Sequence, residues 1–261
     1  MNITEKYPNI SIEVAEQLQA IYNNEPKIYD EGKTEGIEQG KQAEYDAFWD
    51  ALQNYGKRTE SRYLFFGTSF VHIDPKYFIS ASNADSIFCM SSKLETVNWD
   101  KFDLSASQSL YNAFGFCEKL KRIDTDLGTA SNVTGATVLN SIFRECSKLE
   151  YVKKIKSYYQ AVWKNSFDYC YELVHITFDG VIGQSGLNLQ WSTKLSKASI
   201  ESVISALDLA EGRPETTVTL SLVAVNKAFE TIEGANDGAS SANFGNLCAS
   251  ARVAGWTISL V

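Results

Sequence analysis

The chain has 261 residues, of which 44% are hydrophobic and 21% are charged, a composition typical of folded proteins rather than disordered ones. Lysine and arginine total 24 against 32 acidic residues, so the formal net charge is −8. Because no basic patch offsets this charge, nucleic acid is not expected as a partner. No run approaches the roughly 18 apolar residues of a membrane-spanning helix, so membrane insertion is not expected either.

The first predicted region, residues 1–60, is a helical arm. Its opening lacks the basic and apolar segments of a secretory signal, so the localisation stays open. Residues 11–23 carry an apolar helical stripe, and a second helix is predicted over residues 27–55. Its aromatic end, residues 47–55, would cap the region that follows. Glycines recur in this second helix at Gly32, Gly36 and Gly40.

These glycines leave two alternatives for residues 27–55. Glycine costs about 0.8–1 kcal/mol in a helix, so the row requires close packing against another helix as compensation. A homo-oligomer formed through residues 27–55 would provide that packing. The alternative is a linker followed by a shorter helix over residues 42–54.

Residues 61–182 contain an internal repeat. Each copy has Phe, then Cys or Ser three residues on, Leu six residues on, and Ile or Val nine residues on. Steps of 26, 29 and 24 residues separate the phenylalanines Phe88, Phe114, Phe143 and Phe167. A period in the twenties with this signature predicts a solenoid, in which short parallel strands stack and neighbouring copies bury each other's apolar side. Residues 61–83 are expected to hold a degenerate first turn.

Cysteine usage agrees with this repeat. Three of the five cysteines occupy the same repeat position, at Cys117, Cys146 and Cys170, and Ser91 takes that position in the first copy. The chain has no CxxC pair and an odd number of cysteines, so reduced, buried thiols are expected, without a metal or another cofactor. Leu149 is expected to be a fully buried ladder residue between Leu120 and Leu173.

At these positions the sequence resembles the BspA-like leucine-rich repeats of bacteria and their prophages, whose units read roughly F-x-x-C-x-x-L-x-x-I. The resemblance covers residues 86–179, although the copies are spaced more loosely than is usual in the family. Residues 30–59 are similar to the leader that precedes such repeats in hypothetical proteins of Firmicutes prophages. The resemblance implies an α/β fold, an irregular leucine-rich-repeat solenoid. It also implies binding to proteins or surface glycans, display on a virion or cell surface, and no shared catalytic residues.

Residues 183–261 are predicted to form an α/β cap at the other end. Alternating apolar residues favour strands, whereas apolar residues three and four apart favour an amphipathic helix. Strands are predicted over residues 186–191, 217–225 and 256–261. Helices are predicted over residues 196–210, 227–232 and 247–254, with a loop over residues 233–246.

Catalytic chemistry finds little support in the sequence. Neither a GxxxxGK[ST] nor a GxGxxG phosphate-binding loop is present. His175 lies on a predicted strand without an identifiable nucleophile, and His72 is interpreted as a turn or capping residue. Acidic pairs such as Asp124 with Asp126 fit surface charge better than glycosidase carboxylates. The chain is therefore predicted not to be an enzyme, and an unrecognised hydrolase remains the third hypothesis.

The outward positions of the predicted strands form the candidate binding face. Strands spaced by about 4.8 Å would place these side chains in a stripe of mixed charge, with Tyr151 beside His175. We expect a non-catalytic recognition module that binds a protein or a surface glycan. The alternative is a structural protein that assembles through its N-terminal helix. The candidate binding face consists of Lys121, Arg122, Glu150, Tyr151, Lys153, His175 and Thr177.

Overall fold

The computed structural model of this chain describes residues 64–75, 79–80, 83–103, 107, 109–127, 138–183, 185–210, 215–229 and 241–261. The predictions for the helical arm, including its glycine row and aromatic end, lie outside the described residues. The described chain is mixed α/β, and its strands pair in parallel.

Ten short strands and three α-helices follow one another along the described chain. The strands are β1 (His72–Ile73), β2 (Ile79–Ser80), β3 (Thr96–Val97), β4 (Phe102–Asp103), β5 (Arg122–Leu127), β6 (Tyr151–Ser157), β7 (His175–Gly180), β8 (Leu187–Leu189), β9 (Thr216–Leu220) and β10 (Trp256–Leu260). The helices are α1 (Lys197–Ser205), α2 (Leu222–Phe229) and α3 (Ala242–Val253). A 3₁₀ helix spans Trp99–Lys101. The strands form four parallel sheets, with the orders β1-β3, β2-β4, β5-β6-β7 and β10-β9-β8.

The repeated phenylalanines stack on one another through the middle of the chain. The ring centroids lie 5.1 Å apart between Phe88 and Phe114, 5.4 Å between Phe114 and Phe143, and 5.7 Å between Phe143 and Phe167. Phe65 extends the row, 5.4 Å from Phe88. All five side chains are buried. The expected first turn is therefore present, and we call residues 64–195, built on this row, the repeat stack.

The position three residues after each phenylalanine links successive turns by a hydrogen bond. The Sγ atoms of Cys117, Cys146 and Cys170 donate to the carbonyl oxygen of the phenylalanine one turn earlier, at 3.0–3.1 Å. Ser91 does the same with its hydroxyl, which lies 2.7 Å from the carbonyl oxygen of Phe65. A small side chain with a weak donor thus satisfies a buried carbonyl in each turn. The prediction that the cysteines are mostly buried is confirmed, because all five are buried, and all five are free.

The leucines of the repeat form a second buried row. Leu94, Leu120, Leu149 and Leu173 are each 0% exposed, which confirms the predicted burial of Leu149. The Ile or Val three residues later is also buried in each turn and lies in a strand. Since every turn repeats this spacing, the apolar side of each turn is covered by its two neighbours.

The four turns built on Phe88, Phe114, Phe143 and Phe167 each change direction through two residues in the left-handed conformation. They lie two residues before and two residues after the phenylalanine, for example Ser141 at φ 57° and Glu145 at φ 59° around Phe143. In the first turn the second of these positions is Gly67, at φ 61°. L-amino acids with a side chain pay for this conformation in free energy, so the tight turns carry local strain.

A further turn continues the stack beyond the recognised copies. Leu189 takes the phenylalanine position, Ser192 the cysteine position and Leu195 the leucine position, and all three are buried. The Ser192 hydroxyl donates to the carbonyl oxygen of Cys170 at 3.3 Å, and the backbone N–H of Ser196 donates to that of Val174 at 2.9 Å. The sequence pattern did not reveal this turn because Leu and Ser replace both of its most distinctive residues.

The C-terminal region confirms some predicted elements and corrects others. Helix α1 buries Ile200, Val203 and Ile204 as predicted, but it ends at Ser205 rather than at residue 210. The strand predicted over residues 217–225 is wrong in its second half, because β9 ends at Leu220 and α2 begins two residues later. The loop predicted over residues 233–246 is wrong for its last five residues, which belong to α3.

Candidate functional site

The candidate binding face lies on the outer side of the sheet formed by β5, β6 and β7. Parallel pairing sets Arg122 opposite Tyr151, and Tyr151 opposite His175. Because the residue that follows each of them, such as Val152 after Tyr151, is buried in the core, these three point outward. The structure thus brings their side chains into one row across three strands. We call the seven predicted residues, now placed together on this sheet, the sheet face.

The rings of Tyr151 and His175 stack directly at the centre of the sheet face. Their centroids are 4.5 Å apart and the ring planes differ by 11°. On the other side of the tyrosine, the Arg122 guanidinium carbon lies 4.7 Å from the ring centroid. A planar cation, a phenol and an imidazole therefore form one continuous stack, and both aromatic residues are partly exposed to solvent.

Asp124 holds the arginine end of this stack in place. Its carboxylate accepts hydrogen bonds from Arg122 Nε at 2.9 Å and from Nη2 at 2.6 Å. This charged hydrogen bond raises the pKa of the guanidinium further above its ordinary value. Since both side chains are more than half exposed, the pair contributes little net stability, but the fork fixes the plane of the guanidinium over the tyrosine.

Ion pairs order the lysines of the sheet face. Lys121 Nζ donates to Glu95 Oε2 at 2.7 Å, which lowers the pKa of the carboxyl and raises that of the amine. Lys153 Nζ lies 3.0 Å from Asp126 Oδ1, and its hydrogen bond with that carboxylate raises the pKa of the amine. Asp124 and Asp126 are therefore each paired with basic residues.

The two remaining residues of the sheet face, Thr177 and Glu150, lie beside the central stack. The Thr177 hydroxyl donates to the backbone carbonyl of Lys153 at 2.5 Å, across the β6–β7 pair. Glu150 is exposed, and its backbone carbonyl accepts the N–H groups of Val174 and His175 at 2.9 and 3.1 Å. Five of the seven predicted residues therefore lie within β5, β6 and β7, and Lys121 and Glu150 directly precede β5 and β6.

The row of Tyr151 extends further than the prediction. The equivalent position in β1 is His72, whose Nδ1 lies 2.7 Å from Thr96 Oγ1 in the next strand. His72 is thus an outward strand residue, and its interpretation as a turn or capping residue is wrong. The shortened first turn hid this residue, because it has one residue fewer between the phenylalanine and the strand than the later turns have.

The buried thiols are poor nucleophiles in this setting. Burial raises the pKa of Cys89 to about 11, although a hydrogen bond from Asn112 opposes the shift, and it raises the pKa of Cys146 well above the ordinary value. These thiols therefore stay protonated at neutral pH. Because the thiolate is the reactive form, they react slowly. In the part of the chain that the structure describes, no three His, Cys, Asp or Glu side chains group together as a metal site would require.

The described helices are all too short or too polar to cross a bilayer. No protein-family model, curated protein or solved structure matches the chain.

Proposed function

We propose that the repeat stack is a leucine-rich-repeat solenoid of the BspA-like kind. The proposal is supported by the phenylalanine row, by the thiol and hydroxyl bonds between turns, and by the leucine row. In such a stack each turn contacts only its neighbours, so the outer surface is a regular array that single substitutions can change without altering the core.

We propose further that the chain is a non-catalytic recognition module that binds a protein or a surface glycan through the sheet face. The observation that carries this proposal is the partly exposed stack of Arg122, Tyr151 and His175. Tyrosine and arginine are enriched among the residues that dominate binding energy at interfaces. An exposed stack of this kind offers apolar ring surface together with several hydrogen-bond donors.

The rigidity of the face supports the same function. The three side chains are positioned by paired strands and by the Asp124 fork, so little side-chain freedom is lost when a ligand binds. The neighbouring lysines are paired with acids, so the face has mixed charge rather than a strong positive field. Contact with ring faces and hydrogen-bonding groups, rather than long-range attraction, would therefore provide most of the affinity.

The experiment is a binding screen followed by a variant test. The full chain is applied to a glycan array and to bacterial and eukaryotic cell surfaces, and each positive ligand is then titrated. For a ligand of the sheet face, the double variant Tyr151→Ala, His175→Ala should weaken binding by about 30-fold or more, the loss expected for a central anchor.

The matched control is Tyr111→Ala, which removes an exposed tyrosine from a turn before Phe114, away from the sheet face. It should leave the affinity unchanged. Equal affinities of the double variant and the unmodified chain would refute the assignment of binding to this face.

A further inference from the structure

A second surface feature lies on the turn side of the repeat stack. A pocket of about 260 Å³ opens there, between three successive turns. We call it the turn pocket, and its lining residues are Glu118, Glu145, Ser147, Tyr169 and Tyr171. None of these residues belongs to the sheet face.

The repeat itself builds this pocket. Glu145 and Tyr169 each lie two residues after the phenylalanine of their turn, in the left-handed conformation, at φ 59° and 64°. Glu118, Ser147 and Tyr171 each lie four residues after it. Backbone hydrogen bonds lock the turns in register, such as the 2.8 Å bond from the N–H of Glu145 to the carbonyl of Asp168. The pocket is therefore a fixed feature of adjacent turns.

One wall of the turn pocket is aromatic. The Tyr169 ring stacks on Trp191 of the next turn, with centroids 4.8 Å apart, and the Tyr171 ring meets the same indole edge-on at 5.9 Å. The two tyrosine centroids are 6.1 Å apart. The tryptophan supports both tyrosines from one side, so their ring surfaces are held at the pocket while Tyr171 remains 42% exposed.

The other wall is acidic. Glu118 and Glu145 supply two carboxylates, and none of the described residues that line the pocket is a lysine or arginine. Arg144 forms a long ion pair with Glu145, with 3.7 Å between Nε and Oε1, and its guanidinium carbon lies 5.6 Å from the Phe116 ring centroid. The pocket therefore combines negative charge with the electron-rich faces of two phenols.

We propose that the turn pocket binds an alkylated ammonium group, such as a choline-type cation. Aromatic faces attract organic cations through the ring quadrupole, and carboxylates add direct charge attraction. The volume lies just below the range usual for drug-sized ligands, so the pocket suits one small cationic group rather than an extended molecule. The acidic balance of the whole chain favours the approach of a cation as well.

The test titrates the full chain with choline chloride at constant ionic strength, followed by calorimetry and by tryptophan fluorescence, because Trp191 contacts both tyrosines. The matched probe is 3,3-dimethyl-1-butanol, which has the same shape without the charge. We expect saturable binding of choline that is at least about tenfold tighter than binding of the neutral alcohol. Equal binding of the two probes, or no saturable binding of choline, would overturn the proposal.

Variants then locate the site. The double variant Glu118→Gln, Glu145→Gln keeps the shape of the pocket and removes its charge, and Tyr171→Ala removes one aromatic face. Each should weaken choline binding by about fivefold to thirtyfold, whereas Glu150→Gln on the sheet face should not. Unchanged binding by the double glutamine variant would overturn the assignment even if Tyr171→Ala proved unfolded.

A last arm distinguishes the source of the cation. Flotation of the chain with phosphatidylcholine vesicles, lost in the double glutamine variant, would place the ammonium group on a lipid. Saturable choline binding without flotation would place it on a soluble ligand. Both outcomes support the pocket and are independent of ligand binding at the sheet face.

Discussion

The repeat stack and the C-terminal region from α1 onward bury their apolar residues in different ways. In the stack, the buried phenylalanines contact their equivalents one turn away, as Phe114 does with Phe88 and Phe143. In the C-terminal region, β9 and β10 extend a parallel sheet from β8 of the stack, and the three described helices supply unrelated side chains. The comparison shows that a repeat makes the role of a residue depend on its position within the turn, whereas a non-repeating region requires each residue to be judged by its own neighbours.

The largest expected effect on stability comes from a substitution in the leucine row of the stack. Leu149→Ala removes a side chain that is 0% exposed and leaves a cavity between Leu120 and Leu173. The free energy of unfolding should fall by about 2–5 kcal/mol, as in other large-to-small core substitutions. Chemical denaturation measures the change, and a loss below about 1 kcal/mol would mean that the leucine row does not hold the stack together.

The second prediction compares the alkylation rates of two thiols, one from each region. Burial raises the pKa of both thiols, well above the ordinary value for Cys146 inside the stack, whereas for Cys248 of α3 the nearby charge of Arg252 opposes the rise. We expect Cys248 to react with iodoacetamide at least about tenfold faster, a difference of about 1.4 kcal/mol. Peptide mass spectrometry after timed alkylation gives both rates. Equal rates would contradict the claim that burial in the stack raises the thiol pKa more than burial in the C-terminal region.

A pair of substitutions at Cys146 tests the hydrogen bond between turns. Cys146→Ala removes the donor to the carbonyl of Phe114 and should cost about 1–2 kcal/mol of stability. Cys146→Ser keeps a donor, as Ser91 does at the equivalent position, and should cost less. If serine proved more damaging than alanine, the slot would act through apolar packing alone.

The smallest expected effect concerns the left-handed positions. Met90 has φ 62° and is 51% exposed, so Met90→Gly should relieve backbone strain and raise the free energy of unfolding by about 0.5–1 kcal/mol. Met90→Ala is the matched control, because alanine loses the side chain but keeps the strain. If the glycine and alanine variants had the same free energy of unfolding in thermal or chemical denaturation, the assignment of backbone strain to this position would be contradicted.

The same comparison explains how far the sequence predicts this structure. Positions within the repeat were predictable, since Phe, Cys, Leu and Ile recur together and each must face the core. The turn built on Leu189 was not predicted, because apolar and small residues at its slots also fit an ordinary strand. Residues 217–225 were misassigned because a short apolar run suits either a strand or a buried helix, and the strand ends within it at Leu220.

The two candidate sites differ in the same way. The central residues of the sheet face, Arg122, Tyr151 and His175, were predicted because strand alternation decides which residues of a strand point outward. The stacking of Arg122 on Tyr151 required the pairing of β5 with β6, which the sequence suggests only through the repeat. The turn pocket escaped prediction because its glutamates and tyrosines come from three turns and show no common residue type along the chain.

The most direct test of the central claim, that ligands bind on the sheet face, is site-specific photo-cross-linking. Glu150→p-benzoylphenylalanine places the reactive group on the exposed sheet face, and Tyr111→p-benzoylphenylalanine places it on an exposed turn outside this face. With a ligand identified by the binding screen, we predict covalent capture from position 150 and none from position 111. Capture from position 111 alone would contradict the claim.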